Sequence, residues 1–451
     1  MTDSRSSEDN YEMGKIYHRN CELEKAILFY TKALAINPSL VEAHYSLGVA
    51  LKEKGSLDSA IDSYTKAIRI NPNYPNLHYA LGNLFKEKGN IKTAIEYYQN
   101  AIFLKGDHAD AYWNLAQAQL LSEDYKNGLE NYEWRWKKID YSKPHATPKS
   151  SLWDGSALVN GEKLLIVSEQ GLGDTIQFMR YILHLNNQGI ETLFSAQSSL
   201  HSLIKVSGIN QFPLTLEQAN EISDIKWIPL LSLPRFLKVT PKNPQINHPY
   251  ISTSKELILK WREILSIETR PIIGLNWQGN PQAELNNLKG RSLPLEKFSK
   301  LVDRNKISLI SLQKGFGSDQ IENCSFKDSF VTCQKRINQT WDFLETSAII
   351  ANCDLIITSD TCIAHLAGAM GKRTWLLLKH VPDWRWGMFK ASTFWYPSIN
   401  IFRQNERHNW DEVLERVANK LQRSLKTFVL NDNKARREIF DLDTKEVTIL
   451  G

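Results

Sequence analysis

Residues Cys353 to Lys372 read CDLIITSDTCIAHLAGAMGK. Asp354 to Thr358 is a short apolar, β-branched run, the composition of a buried strand. It stops at Ser359 and Asp360. From Thr361 the apolar residues fall at Ile363, Leu366, Ala367 and Met370, which is helical spacing, and Gly371 stands where a helix ends. The stretch reads strand, tight turn, helix. The first backbone N–H groups of such a helix have no partner within it. They face the crevice beyond the strand's carboxyl end, where an anion fits. A Ser359 or Asp360 that merely caps a core helix gives the same pattern, so the rest of the chain has to decide.

On either side the chain alternates strand and helix. Before the stretch come strands at Lys163–Ser168, Thr192–Ala196, Lys226–Leu230, Pro271–Asn276, Lys306–Leu312 and Ser329–Cys333. Helical runs begin at Thr175 and span Ser199–Val206, Pro294–Val302 and Thr340–Asn352. After it come a strand at Arg373–Leu378 and a helix at Trp410–Leu425. A Pro-rich boundary at 241–249 splits these into two βα series. Two such series predict two doubly wound lobes facing each other across a cleft.

Residues 11 to 139 have a different texture. Gly14, Gly48 and Gly82 are spaced by 34 residues, with Ala116 next. Tyr17, Leu51 and Phe85 keep the same step, as do Ala26, Ala60 and Ala94, Tyr30, Tyr64, Tyr98 and Tyr132, and Ala33, Ala67 and Ala101. Pro38 and Pro72 close the first two units. The pattern closely resembles tetratricopeptide repeats over about four units. Each unit buries its apolar face only against neighbours, so a solenoid is expected. Its concave face would bind peptide or protein. In the fourth unit Gly128 replaces the helix-B alanine, Arg135 the next one, and Trp134 and Trp136 are expected to cap the array against the following domain.

The totals fit a multidomain globular protein: 451 residues, 42% hydrophobic and 23% charged. A net charge of +5 with no dense Lys/Arg run gives no case for nucleic acid. Five scattered cysteines without a CxxC pair suggest neither zinc nor disulfides, and a reducing compartment. The opening MTDSRSSEDN lacks the apolar core of a signal peptide, and no run reaches the length of a membrane span. A cytoplasmic location is expected.

Four segments carry candidate chemistry. In EQGLGDTIQF (Glu169 to Phe178), Gly171 and Gly173 permit a tight strand-to-helix turn. The dinucleotide fingerprint needs a third glycine where Ile176 stands, which weakens a dehydrogenase reading. Asp174 in that turn is either a helix cap or a carboxylate able to take a proton from an attacking hydroxyl. In SLQKG (Ser311 to Gly315), Lys314 leaves a strand where a phosphate would lie, or is simply solvated. NWQGN (Asn276 to Asn280, with Gln278), followed by Lys289 to Ser292, is a polar loop at the same edge. VPDWRWGMFK and FWYPS are dense in aromatics. Arg385 there is placed to pair with phosphate while rings stack on a base or sugar, or the loop packs on itself. The Asp441/Asp443 pair lies in a charged tail, no Gly-x-x-x-x-Gly-Lys loop occurs, and no His cluster suggests a metal.

Taken together, EQGLGDTIQF, GLNWQGN with KGRSLPL, SLQKG, SDTCIAHLAGAMGK, PDWRW and WYPS resemble bacterial tetratricopeptide-repeat glycosyltransferases related to the heptosyltransferases of glycosyltransferase family 9. The resemblance implies a tetratricopeptide-repeat α-solenoid followed by a GT-B fold of two Rossmann-like lobes. Its domains are a disordered start (1–10), the solenoid (11–140), an acceptor-side lobe with linker (141–250), a nucleotide-sugar lobe (251–425) and a charged tail (426–451). It implies inverting sugar transfer from a nucleotide sugar to a hydroxyl of a glycan or protein acceptor, with no metal or other cofactor. By motif, Asp174 matches the general base and Lys314 a donor-phosphate lysine. Ser359, Asp360, Thr361, Cys362, Ile363 and His365 match the donor turn, with Gly171, Gly173, Gln278 and Arg385 beside it. Cys362 stands where the heptosyltransferases often have glycine. The rival reading is a non-catalytic repeat scaffold with a degenerate GT-B portion.

Overall fold

The structure, a computed structural model, describes residues 5–139, 143–158, 161–284 and 289–430. The chain forms two compact units, Met1–Tyr141 and Ser142–Gly451.

The first unit is a helical array of α1 (Ser7–Arg19), α2 (Leu23–Ile36), α3 (Val41–Glu53), α4 (Leu57–Ile70), α5 (Pro75–Glu87), α6 (Ile91–Leu104), α7 (Ala109–Leu121) and α8 (Tyr125–Tyr132). The glycine–tyrosine step of the repeat is the packing rule. A Cβ on Gly14 would sit 2.5 Å from the Tyr30 ring, one on Gly48 2.4 Å from Tyr64, and one on Gly82 2.5 Å from Tyr98. Only glycine lets each ring lie flat against the facing backbone. In the last pair the small residue changes sides: Ala116 stands on α7, and Gly128 on α8 takes the close approach, to Leu120.

The array starts earlier than expected. Residues 1–10 are expected to be disordered; residues 1–4 lie outside the described residues, and α1 already begins at Ser7. Ser6 and Asp9 form a reciprocal capping box, and the Ser7 hydroxyl donates to Ala33 O at 2.9 Å. Trp134 lies in a 3-10 turn, Glu133–Lys137, and stacks on Tyr112 at 3.8 Å and 4°. The Arg135 guanidinium covers the Trp136 ring at 4.3 Å.

The second unit contains two parallel sheets. The smaller has β1 (Lys163–Val167), β2 (Glu191–Ser195) and β3 (Trp227–Pro229) in the order β2-β1-β3. The larger has β4 (Ile272–Asn276), β5 (Ser308–Ser311), β6 (Leu355–Ser359), β7 (Thr374–Leu378) and β8 (Ile399–Arg403) in the order β5-β4-β6-β7-β8. Strands β4 to β7 are buried at every residue, as parallel strands covered on both faces must be. The core beside them includes Trp277, Phe298, Trp375 and Leu414.

Four expectations change here. The strand expected at Ser329–Cys333 is a single bridge, Leu309 to Phe330. Past that point the Gln334 side chain takes the place of a strand: its Oε1 accepts from Ser311 N (2.9 Å) and its Nε2 donates to Ser311 O (3.1 Å). The helix expected at Pro294–Val302 is a 3-10 helix, Leu295–Leu301. Its buried residues, Leu295, Phe298 and Leu301, recur every three positions and suit three residues per turn. Strand β8 was not expected. The last helix runs Trp410–Leu430, beyond the limit of 425; Asp441 and Asp443 lie outside the described residues.

Arg180 joins the segments around the two sheets. It is fully buried. Its Nε donates to Gln177 O (2.8 Å), its Nη1 to Ile246 O (3.1 Å) and Trp395 O (2.9 Å), and its Nη2 to the Tyr250 hydroxyl (3.2 Å). The Tyr250, Trp395 and Tyr396 rings surround the guanidinium.

Candidate functional site

Two strand–turn–helix corners meet in the second unit. One leaves β1 through Gly171 into the helix Leu172–Phe178; the other leaves β6 through Thr361 into the helix Cys362–Ala369. They touch at Gly173. A Cβ there would lie 3.0 Å from His365 Cδ2 and 3.3 Å from Cys362 Cα. The first helix starts three residues before Thr175, so Asp174 is inside its first turn, and its Oδ2 accepts from Gly171 N at 3.0 Å.

Asp174 faces charge on the other side. Its Oδ1 accepts from Arg385 Nη2 at 2.5 Å. Arg385 also donates through Nη1 to Asp383 (2.8 Å) and through Nε to Gln177 Oε1 (2.6 Å). Its guanidinium lies 4.6 Å from the Trp384 ring centre and 5.4 Å from that of Phe178. Arg385 is thus the pivot between the sheets. The Asp174 side chain keeps 21% of its surface exposed, enough to meet a ligand. Burial raises its pKa above the usual carboxylate value, against the pull of Arg385.

Asp360 sits in the second corner. Burial and the nearby Asp383 carboxylate push it up to about 6, against Arg291. His365 is held neutral: burial, aided by Arg385, takes it down to about 3. Its Nδ1 pairs with the Tyr396 hydroxyl at 3.0 Å, and its ring stacks on Trp386. Burial raises the Cys362 thiol to about 11, so it stays protonated. Ile363 is a core residue at 5% exposure.

The start of the second helix is open to a ligand by two observations. Thr361 is its N-cap residue, yet its hydroxyl does not cap the helix; it donates to Asn276 Oδ1 at 2.6 Å. The Ser359 hydroxyl is fully buried and has no hydrogen-bond partner. A helix start whose N-cap side chain is turned away, with a lone buried hydroxyl just before it, offers the kind of donor set an anion uses.

Lys314 and Gln278 do not join this cluster. The Lys314 ammonium donates to Ile337 O and to Thr340 Oγ1 (3.3 Å). Ile337 is in the last turn of the helix Gln334–Asn338, where carbonyl ends attract cations. Gln278 Oε1 accepts from Gln320 Nε2 at 2.9 Å. Arg291, and not Lys314, reaches the Asp360 turn. Its Nη1 donates to Asp360 O at 3.1 Å, its Nε faces Glu284 at 3.4 Å, and it passes over Gly279, where a Cβ would collide with it. Lys379, whose pKa burial lowers, donates to Lys289 O at 3.1 Å within the influence of Asp360 and Asp383. Arg291 stood in the KGRS segment, and only its placement beside Asp360 marks it out. Among the described residues no group of three or more His, Cys, Asp or Glu side chains is arranged to hold a metal ion, and no helix is long and apolar enough to cross a membrane.

Comparison with known proteins finds the tetratricopeptide repeat (TPR repeat) at residues 14–55, 50–89 and 82–122. Protein FlbA of Caulobacter vibrioides is 22% identical over 317 residues, 65% of this chain and 52% of FlbA, so the chain spans about half the length of that curated relative. Among solved structures, MamA is 26% identical over 31% of this chain and 84% of its own, with a TM-score of 0.29. YrrB, a TPR protein with an unusual peptide-binding site, is 25% identical over 28% of this chain and 65% of its own, with a TM-score of 0.27.

Proposed function

We propose that the two parallel sheets are the lobes of a GT-B glycosyltransferase. It moves a sugar from a nucleotide-sugar donor to a hydroxyl of a glycan or protein acceptor, with inversion and without a metal, while the repeats recruit the acceptor or a partner. The observation that carries this reading is the meeting of the corners at Gly173, which sets the Asp174 carboxylate beside the uncapped start of the helix Cys362–Ala369.

The chemistry follows from that juxtaposition. The donor diphosphate lies on the helix N–H groups, with Arg291 and Arg385 as counter-charges in place of a metal. Asp174 takes the acceptor proton as the acceptor oxygen bonds to the anomeric carbon. The bond from that carbon to the phosphate oxygen breaks, and the nucleoside diphosphate leaves with its electron pair. Before the donor binds, Arg385 holds Asp174 Oδ1. An arriving diphosphate offers Arg385, which already holds Asp174 and Asp383, a third anion and frees that oxygen, while Gly171 N keeps hold of Oδ2. The raised pKa of Asp174 makes it a stronger base than a solvated aspartate.

One observation favours the rival, a non-catalytic scaffold: Lys314, the expected phosphate lysine, is occupied at Ile337 O. Incubation with ADP-, UDP-, GDP- and dTDP-sugars separates the two. The glycosyltransferase reading expects donor hydrolysis or transfer, reduced roughly a hundredfold or more in Asp174→Asn with nucleotide binding kept. Full activity in that variant removes Asp174 as base. A wild-type protein that neither binds nor turns over any donor is the scaffold.

A further inference from the structure

The carboxyl edge of the larger sheet carries a second feature that the Asp174–Arg385 cluster leaves unused. Past β5 the chain turns through Gln313–Gly317, and Phe316 there is 58% exposed. Trp341, in the turn before the helix Phe343–Ala351, is 67% exposed. The two turns adjoin: a Cβ on Gly315 would lie 4.0 Å from Trp341 Cη2. A single exposed aromatic is ordinary. Two on adjoining turns that the fold has stiffened are not.

The stiffening is specific. Gln313 Oε1 accepts from Asn276 Nδ2 (2.9 Å), Trp277 N (3.2 Å) and Gln278 N (3.0 Å). Its Nε2 donates to Gln278 O (2.9 Å) and Phe316 O (2.7 Å). Gly315 and Gly317 take φ of +64° and +77°, which a side chain would strain. The Lys314 ammonium ties this turn to the other at Ile337 O and Thr340 Oγ1.

The same network reaches the anion corner. Thr361 bonds Asn276, Asn276 bonds Gln313, and Gln313 bonds Phe316 O. The path crosses from β6 over β4 to β5, two strand spacings or about 10 Å. A cationic, N–H-rich corner at one end and a pair of rings at the other is the layout of a site for a molecule with phosphates at one end and a flat ring at the other.

We propose that Phe316 and Trp341 form the stacking platform for the base of a nucleoside diphosphate whose phosphates lie at the start of the helix Cys362–Ala369. This rests on the nucleotide-sugar reading above and assigns it residues that hold the nucleoside end. Lys314 then acts as a positioning residue that fixes the platform, and not as a phosphate ligand. Aromatic stacking suits any base, so the pair supplies affinity for the nucleoside end.

Calorimetry on the full chain with ADP, UDP, GDP, dTDP and inorganic pyrophosphate tests it. Wild type is expected to bind at least one nucleotide more tightly than pyrophosphate. Trp341→Ala and Phe316→Ala should each weaken that nucleotide roughly ten- to hundredfold and leave pyrophosphate affinity unchanged, which also shows that the variants are folded. Trp341→Phe, which keeps a ring, should restore most of the loss. If both alanine variants bind the nucleotide like wild type, the platform is refuted while the nucleotide reading stands. If wild type binds pyrophosphate but gains nothing from any nucleoside, the platform is again refuted. If wild type binds none of the five, both readings fall and the rings are a protein-contact surface.

Discussion

Substituting Gly173 with alanine tests whether the meeting of the two corners matters. The new Cβ would stand 3.0 Å from His365 Cδ2, 3.3 Å from Cys362 Cα and 3.6 Å from Cys362 Cβ. The nearest atoms must retreat by a few tenths of an ångström, and His365 has little room to do so. Its Nδ1 is tied to the Tyr396 hydroxyl, its ring is stacked on Trp386, and it is 5% exposed. Cys362 contributes backbone, which is stiffer still. Overpacking of this kind costs about 1–3 kcal/mol. Glycine-to-alanine replacement in a helix returns up to about 1 kcal/mol. The net loss is about 0–3 kcal/mol, a fall in Tm of a few degrees. The functional loss should be larger. Asp174, the proposed base, is the next residue; a displacement of a reacting group by about 1 Å can cost about a hundredfold in rate, and a shift of a few tenths should cost a measurable part of that. Gly106→Ala, where no atom lies within 4 Å of the added carbon, is the control. Thermal unfolding and donor turnover of the two variants are compared with wild type. A Gly173→Ala protein as stable and as active as Gly106→Ala refutes the reasoning.

Two further outcomes follow from buried charge. Arg180→Met leaves Ile246 O and Trp395 O without their Arg180 donor, while Gln177 O keeps the Tyr250 hydroxyl, so urea denaturation should show a loss of about 2 kcal/mol or more; wild-type stability would mean that Arg180 does not join these segments. Asp360, raised to about 6, holds a proton in the folded state that the unfolded chain releases near 4, so its contribution to stability falls as pH rises across that window. His365, lowered to about 3, acts with the opposite sign, because the unfolded chain binds a proton below about 6.5 that the folded state refuses. Asp360→Asn removes only the first effect. Its stability relative to wild type should therefore improve between pH 4 and pH 7, by at most about 3 kcal/mol, and a constant difference would contradict the raised pKa.

The solenoid was legible because its rule is local and repeated: a glycine every 34 residues leaves room for one tyrosine, and spacing alone records that. The buried strands were legible because β-branched runs have few other uses. Strand β8 was hidden by its neighbours. The aromatic segment before Ile399–Arg403 reads as a loop, and the loop's rings cover the Arg180 guanidinium. The strand at Ser329–Cys333 failed for a reason no pattern carries, since one glutamine amide can imitate a strand's backbone pair. At the candidate site, position along the chain told which residues stand at strand ends but not where long side chains reach. Asp174 and Asp360 are short and stay where the turn puts them. Lys314 is long, and a nearby helix end captured it. Arg291 is equally long and arrives beside Asp360 from a loop whose sequence says only that it is polar and basic.

That difference in reach bears on how such a site would work. The carboxylates Asp174, Asp360, Asp383 and Glu284 lie among Arg385, Arg291 and Lys379, so without a ligand the arginines already have carboxylate partners. A buried arginine cannot give up its charge, and a buried carboxylate can. A diphosphate entering beside the Cys362–Ala369 helix adds negative charge that the arginines can answer only by loosening their hold on the carboxylates. The two pairings most exposed to that exchange are Arg385 with Asp174 and Arg291 with the Asp360 turn. Asp383 is the best anchored of the three aspartates: Arg385 holds it through both Nη1 and the backbone N–H, and its pKa stays depressed against burial. Arg385 can thus turn from Asp174 to phosphate while Asp383 keeps it in place. On the proposed glycosyltransferase reading, binding of the leaving group and release of the base become one event at a single guanidinium.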